Sequence, residues 1–325
     1  MPLIPLVQCL REAERGGYGV GAFNVNNMEQ IQGIMRAARE LKSPVILQAS
    51  RGALKYTNLV YLKHLVSAAL EENPEIPVVL HLDHGDSLES VKTAIELGFT
   101  SVMIDGSHYD FETNVRISRE VVEYAHQFGV SVEAELGTLG GIEEDVAGEV
   151  QLTDPDQAEE FVARTGCDAL AVAIGTSHGA YKFKAEPKLA LDLVAEIYRR
   201  VQIPLVMHGS SSVPKELVDE INAYGGSIKG SFGVPIESIQ QGIAHGVRKI
   251  NVDTDIRLAM TAAVRRALAE DPSRFDPREY LAPARDAVYQ VVADRMRAFG
   301  SAGHAFDYEP LTLEDMKAEY ARRSS

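Results

Sequence analysis

The chain has 325 residues, 45% of them hydrophobic and 24% charged, a balance that excludes a disordered or fibrous protein. A formal net charge of −15 argues against a surface for nucleic acid or an anionic membrane, though a few locally placed cations can still hold a small anion. Cys9 and Cys167 are too few for a disulfide framework, and no stretch approaches the ~18 apolar residues of a membrane span. These features lead us to expect a cytoplasmic enzyme with neither a nucleic-acid nor a membrane partner.

Short β-rich runs alternate with amphipathic stretches of helical length. In chain order the predicted strands are Val20–Phe23, Val45–Gln48, Val78–His81, Ser101–Ile104, Ser131–Ala134, Ala169–Ala173, Leu205–Met207 and Lys249–Val252. Between them, Glu29–Leu41, Leu59–Leu70, Leu88–Leu97, Thr113–Phe128, Asp156–Arg164 and Leu189–Val201 read as helices. Pro44, Pro77 and Pro204 each precede a strand, and Gly129 and Gly166 follow helical stretches. Strand and helix repeated eight times, with apolar strands, is the pattern of a parallel sheet closed into a (β/α)8 TIM barrel. A doubly wound open sheet competes, but the first strand is not followed by a dinucleotide-type glycine fingerprint. Two further helical stretches, roughly Pro283–Phe299 and Leu313–Arg322, exceed the needs of a barrel. The expectation is one barrel domain over 1–325, with residues from about 271 as a C-terminal helical extension.

In such a barrel the active site lies at the carboxyl ends of the strands. There the chain places His81-Leu82-Asp83-His84-Gly85, Glu133-Ala134-Glu135, Thr176-Ser177-His178-Gly179, His208-Gly209-Ser210-Ser211-Ser212 and Asn251-Val252-Asp253-Thr254. His84, His178 and His208 thus sit at three strand ends, far apart in sequence and neighbours in space. Three neutral imidazoles with an open position form the ligand set of a catalytic zinc site, because they leave the ion's charge uncancelled. Any one of these histidines alone would read as an ordinary polar residue. His81, inside its strand, is better placed to orient a ligand than to bind metal. The glycines and serines after the seventh strand, with the helix opening at Asp253-Thr254, suit a phosphate site, and Lys182 supplies a local cation. Two long loops, 136–153 and 175–187, read as lids or binding loops, and Glu143, Glu144 and Asp145 lie in the first.

The segments GAFNVNN (21–27), HLDHGDS (81–87), VMIDGS (102–107), EAELGTLGGIEED (133–145), AIGTSHGAYK (173–182), HGSSSVP (208–214), INVDTDIR (250–257) and DPREYLAPAR (276–285) together resemble class II, metal-dependent fructose-bisphosphate aldolases. The match runs in order over nearly the whole chain and points to the shorter subgroup, shared with tagatose-bisphosphate aldolases. The resemblance implies Zn2+ held by His84, His178 and His208, with Glu135 at an alternate metal position. It implies Asp83 as the acid–base at the C4 hydroxyl and Glu143 as the loop base that takes a carbon-bound proton from dihydroxyacetone phosphate. Gly179, Lys182, Gly209, Ser211, Asp253 and Thr254 match the pocket for the ketose phosphate, and Asn251 a contact near the enediolate. Asn24, Ser50, Arg257 and Arg278 match positions near the sugar or second phosphate, Arg278 in the family being lent by an adjacent subunit. A monovalent cation (Na+ or K+) near the phosphate and a homo-dimer or tetramer are further implications. After GIEED the chain reads VAGEVQLTDP, a shorter course than the subgroup pattern, which bears on the loop's path and not on the metal site.

A tagatose-bisphosphate aldolase shares all these motifs. A zinc-dependent barrel hydrolase would favour a His-x-His pair on the first strand, and Val20–Asn27 has none. A Schiff-base aldolase would need Lys249, which shares the parity of Asn251 and is read as structural. A catalytically silent binding protein would have no use for the acid–base and ligand set.

Overall fold

The computed structural model describes residues 3–143, 146–148, 151–178, 187–229, 232–307 and 309–323, with 140–143, 146–148 and 178 described as backbone. Eight parallel strands, β1 Val20–Asn24, β2 Val45–Ser50, β3 Val78–Gly85, β4 Ser101–Ile104, β5 Ser131–Leu136, β6 Ala169–Val172, β7 Leu205–Met207 and β8 Val247–Val252, close into a barrel. Each pairs with the next in sequence, and β8 returns to β1 with Val20 opposite Lys249. All eight predicted runs are strands. They were readable because a strand covered on both faces is a near-continuous apolar run.

The helices between them begin where side chains take over unpaired backbone donors. Asn27 caps Met28–Leu41 by accepting the Gln30 N–H at 2.9 Å, and Asp110 caps Phe111–His126 through the Thr113 N–H at 3.0 Å. Pro155–Thr165 ends at Gly166, whose φ of 71° closes the helix in the left-handed region. Phe161, Ile34 and Ile197 are fully buried between helices and sheet, each side chain contributing about 1.5–3 kcal/mol of burial.

Side chains alternate along a strand, so every second one enters the barrel. At its base the inward set is apolar: Val20 and Ala22, Ile46, Val79, Ala169 and Ala171, Val206. The N-terminal helix Leu6–Gly16 packs Leu6, Cys9, Leu10 and Ala13 on this set and plugs that end. The opposite end is left for chemistry.

The C-terminal helices differ in two bounds from the sequence reading, by six residues at the start of the first and by one at the end of the second. The first is Pro277–Phe299, not Pro283–Phe299. Asp276 caps it by accepting the Arg278 N–H at 3.0 Å, and Pro277 occupies the first turn, where no donor is missed. Pro283 is accommodated inside the helix. This helix packs on Met28–Leu41, where a Cβ at Gly33 would stand 2.9 Å from the Arg285 carbonyl oxygen. The second, Leu313–Arg323, buries Met316 and Tyr320 beside Val7. Among the described residues, no helix is long and apolar enough to cross a membrane.

Candidate active site

Above the apolar plug the inward positions turn polar. Gln48, His81, Glu133 and Lys249 form a layer with no solvent exposure. Burying an isolated charge is costly unless it is paired and hydrogen-bonded. Here Lys249 Nζ lies 3.0 Å from Glu133 Oε2 and donates to Asn251 Oδ1 at 2.7 Å. Glu133 Oε1 lies 2.7 Å from His208 Nε2. Burial pushes the Glu133 carboxyl up, but the Lys249 charge and the His208 hydrogen bond outweigh it and hold it well below the usual carboxylate range. His81 has Nδ1 at 2.8 Å from Ser101 Oγ and Nε2 at 3.5 Å from Glu133 Oε2, and burial with the Lys249 charge pulls its pKa down to about 3.

The next layer carries Asp83, 1% exposed. Its Oδ2 accepts Asn24 Nδ2 at 2.9 Å and Gln48 Nε2 at 3.3 Å, and its Oδ1 accepts Asn251 Nδ2 at 3.2 Å. Gln48 also donates to Asn24 Oδ1 at 2.6 Å, so amides from β1, β2 and β8 hold this one carboxylate. Strict alternation would send the next residue, His84, away from the barrel axis. It does not, because His84 has φ +49° and the β3–β4 register shifts between Leu82 and Gly85.

His84 Nε2 comes within 3.0 Å of His208 Nδ1, with the rings edge to face at a centroid distance of 4.7 Å. The far nitrogens face carboxylates: His84 Nδ1 is 3.1 Å from Asp105 Oδ2, and His208 Nε2 is 2.7 Å from Glu133 Oε1. Carboxylates accept the far protons, so the near nitrogens turn their lone pairs toward each other, His208 Nδ1 also meeting Asn251 Nδ2 at 3.1 Å. Two lone pairs at that distance suit a shared cation, which is the donor arrangement a divalent metal requires. Burial lowers the His208 pKa and so favours the neutral, ligating form. Burial also pushes Asp105 up, but His84 and the Ser107 donors outweigh it and hold its carboxyl well below the usual range. Among the described residues, two groups each bring their ligand atoms within 4.8 Å of one another, Asp83–His84–His208 and His84–Asp105–Glu135.

The loop after β7 folds tightly against the loop after β6. Gly209 has φ 60°, and a Cβ there would stand 2.6 Å from the Ser177 carbonyl oxygen. His178 follows Ser177 in a two-residue strand whose backbone pairs with Gly141. The expected 136–153 loop therefore contains regular structure: Gly140–Glu143 pairs with Val146–Gly148, Glu143 opposite Val146. The His178 and Glu143 side chains, with Glu144, Asp145, Gly179 and Lys182, lie outside the described residues. Ser211 Oγ accepts the Asp253 N–H at 3.2 Å, and Thr254 opens the helix Thr254–Glu270. Arg257 pairs with Asp253 at 2.6 Å. Ser50 caps the helix Arg51–Thr57 by accepting the Ala53 N–H at 3.3 Å. Arg278, with 88% of its side chain exposed, pairs with Asp276 and lies outside the cluster.

Sequence reasoning singled out neither Gln48 nor Asp105 nor Glu133. A signal existed for two of them: Gln48 and Glu133 share the parity of Ser50 and Glu135, so they enter the same barrel interior. Asp105 directly follows a strand end.

An eight-stranded parallel barrel with a histidine–carboxylate cluster at the carboxyl ends of its strands defines a barrel enzyme whose clustered donors fit a cation. The family profile described as fructose-bisphosphate aldolase class-II matches residues 4–304. A fructose-bisphosphate aldolase of Giardia intestinalis is 64% identical over 98% of this chain and all of its own length. One from Pseudomonas aeruginosa is 50% identical, covering 99% of this chain and 98% of its own. The crystal structure of the YdjI aldolase from Escherichia coli K12 superposes with a TM-score of 0.76 at 33% identity, over 94% of this chain and all of that one. The chain belongs to the class II fructose-bisphosphate aldolase family.

Proposed function

We propose that this chain catalyses the reversible aldol cleavage of fructose 1,6-bisphosphate to dihydroxyacetone phosphate and glyceraldehyde 3-phosphate. The observation that carries the reading is the 3.0 Å approach of His84 Nε2 and His208 Nδ1, set beside a buried Asp83 that three amides hold. The identity of 64% to a relative named for this activity supports the substrate. Zn2+ would be held by His84, His178 and His208, with Glu135 and Asp105 offering an alternate position beside His84. Such an ion is a Lewis acid toward a ketose carbonyl.

In the cleavage direction Asp83 takes the proton of the C4 hydroxyl, the C3–C4 bond breaks, and C4 leaves as the aldehyde of glyceraldehyde 3-phosphate. The bonding pair stays with the three-carbon ketose fragment. Glu143, in its acid form, returns a proton to C3 and completes dihydroxyacetone phosphate. Condensation runs the same steps backward. Asn24 and Gln48 keep Asp83 aimed, and Asn251 bridges it to His208 through Nδ2, 3.2 Å from Asp83 Oδ1 and 3.1 Å from His208 Nδ1. The ketose phosphate is bound by Gly179, Lys182, Gly209, Ser211, Asp253 and Thr254, with Na+ or K+ as a further counter-charge. Ser50, Arg257 and Arg278 serve the sugar or second phosphate, Arg278 from a neighbouring subunit of a homo-dimer or tetramer. The reading places the enzyme in the cytoplasm, in glycolysis and gluconeogenesis. Coupled assays of kcat/KM with fructose and tagatose 1,6-bisphosphates test it. Cleavage strongly favouring the fructose ester is expected; a preference for the tagatose ester, or cleavage of neither, contradicts it.

A further inference from the structure

Asp255, the second residue of the helix after β8, is fully buried. Its Oδ1 accepts the Val213 N–H at 2.8 Å, and its Oδ2 accepts the Ser212 N–H at 3.1 Å. Arg295 reaches the same Oδ2 from the helix Pro277–Phe299, through Nε at 3.0 Å and Nη2 at 2.9 Å. Arg295 is itself 8% exposed, so this is a buried pair whose charge balance depends on one guanidinium. The loop it fastens is strained. Val213, a β-branched residue, has φ +48°, a conformation that persists only when its surroundings over-determine it. Gly233 presses on the same loop, where a Cβ would stand 2.2 Å from the Ser212 carbonyl carbon. A second tie, from the Asp253 N–H to Ser211 Oγ, joins the same two loops on the side facing the barrel mouth.

We propose that Arg295 is a positioning residue for the substrate-phosphate site. Acting through Asp255, it sets the 209–213 loop against residues 253–254, so that donors from two strand ends present one anion-binding surface. This rests on the phosphate pocket of the proposed function. A residue outside the barrel would then fix the affinity for a substrate that it does not itself touch. The fork geometry matters, because a lysine at 295 carries the charge but cannot place two donors on one oxygen in that plane.

The test uses the full chain loaded with metal to wild-type content. Arg295→Met, Arg295→Lys and Asp255→Asn are compared with wild type in KM and kcat for fructose 1,6-bisphosphate, and in thermal stabilisation by inorganic phosphate. Arg295→Met is expected to raise KM and weaken phosphate binding by about 10- to 100-fold, the effect of a misplacement near 1 Å, while kcat falls far less. Arg295→Lys should fall between. If Arg295→Met does not fold, the other two variants carry the same comparison. Lowered thermal stability with unchanged KM and unchanged phosphate binding overturns the proposal and leaves Arg295 a purely structural residue. A wild-type chain that binds phosphate but cleaves no fructose bisphosphate overturns the proposed function instead, and phosphate binding still reads the role of Arg295.

Discussion

His84 follows Asp83 directly in β3, yet both side chains reach the barrel mouth, with His84 Nε2 4.0 Å from Asp83 Oδ1. One unusual backbone angle at His84 makes this possible and lets one strand supply both the proposed metal ligand and the proposed acid–base group. The two roles are separable by mutation. Asp83→Ala should lower turnover by about 10²–10⁴, the usual worth of a general acid–base group, while bound metal stays at wild-type content. Steady-state kinetics paired with metal analysis checks this. Unchanged turnover in metal-replete protein would remove Asp83 from the proton path.

Under the proposed function, Glu133 would act on the metal at second hand. Through its 2.7 Å contact with His208 Nε2 it fixes which ring nitrogen keeps the proton. Glu133→Gln retains the shape and loses the charge, and it leaves Lys249 buried without its anion. Metal affinity in chelator competition should fall about 10- to 100-fold, the range for loss of such an outer partner. An unaltered affinity would show that His208 needs no carboxylate to orient it.

The polar layer also sets a pH dependence of stability. His81 is held neutral in the folded chain, its pKa drawn down to about 3 from an ordinary value of 6.5. Between those values the unfolded chain binds a proton that the folded chain refuses, so stability rises with pH across the window and is lost on acidification. The slope from this one residue is at most about 1.4 kcal/mol per pH unit. Glu133 adds in the same direction, because its carboxyl is held low when folded and protonates readily when unfolded. Urea unfolding at pH 7 and pH 4.5 should show a marked loss for wild type and a smaller one for His81→Asn. Equal losses would place the acid sensitivity elsewhere.

Much of this was legible in the sequence because the barrel organises by position. Val20–Phe23 and Lys249–Val252 read as strands from their apolar runs, and strand ends pointed to Asp83, His84 and His208 without any contact being known. The buried ion layer was less legible. Glu133 and Lys249 are 3.0 Å apart in space, but 116 positions apart in sequence, and nothing local in either strand signals the other. The backbone turn at His84 was not read either, since histidine, though enriched among left-handed residues, adopts that conformation too seldom to signal it. The hairpin within 136–153 was hidden by its glycines, which read as loop whether or not they pair.

The most direct measurement follows fructose 1,6-bisphosphate cleavage and metal content together through chelation and readdition of Zn2+. Activity should vanish as metal is withdrawn and return in proportion to zinc rebound, with His84→Ala and His208→Ala failing to recover. Full turnover after metal has fallen to background, accompanied by borohydride trapping of substrate on Lys249, would contradict a shared ion between the two imidazoles.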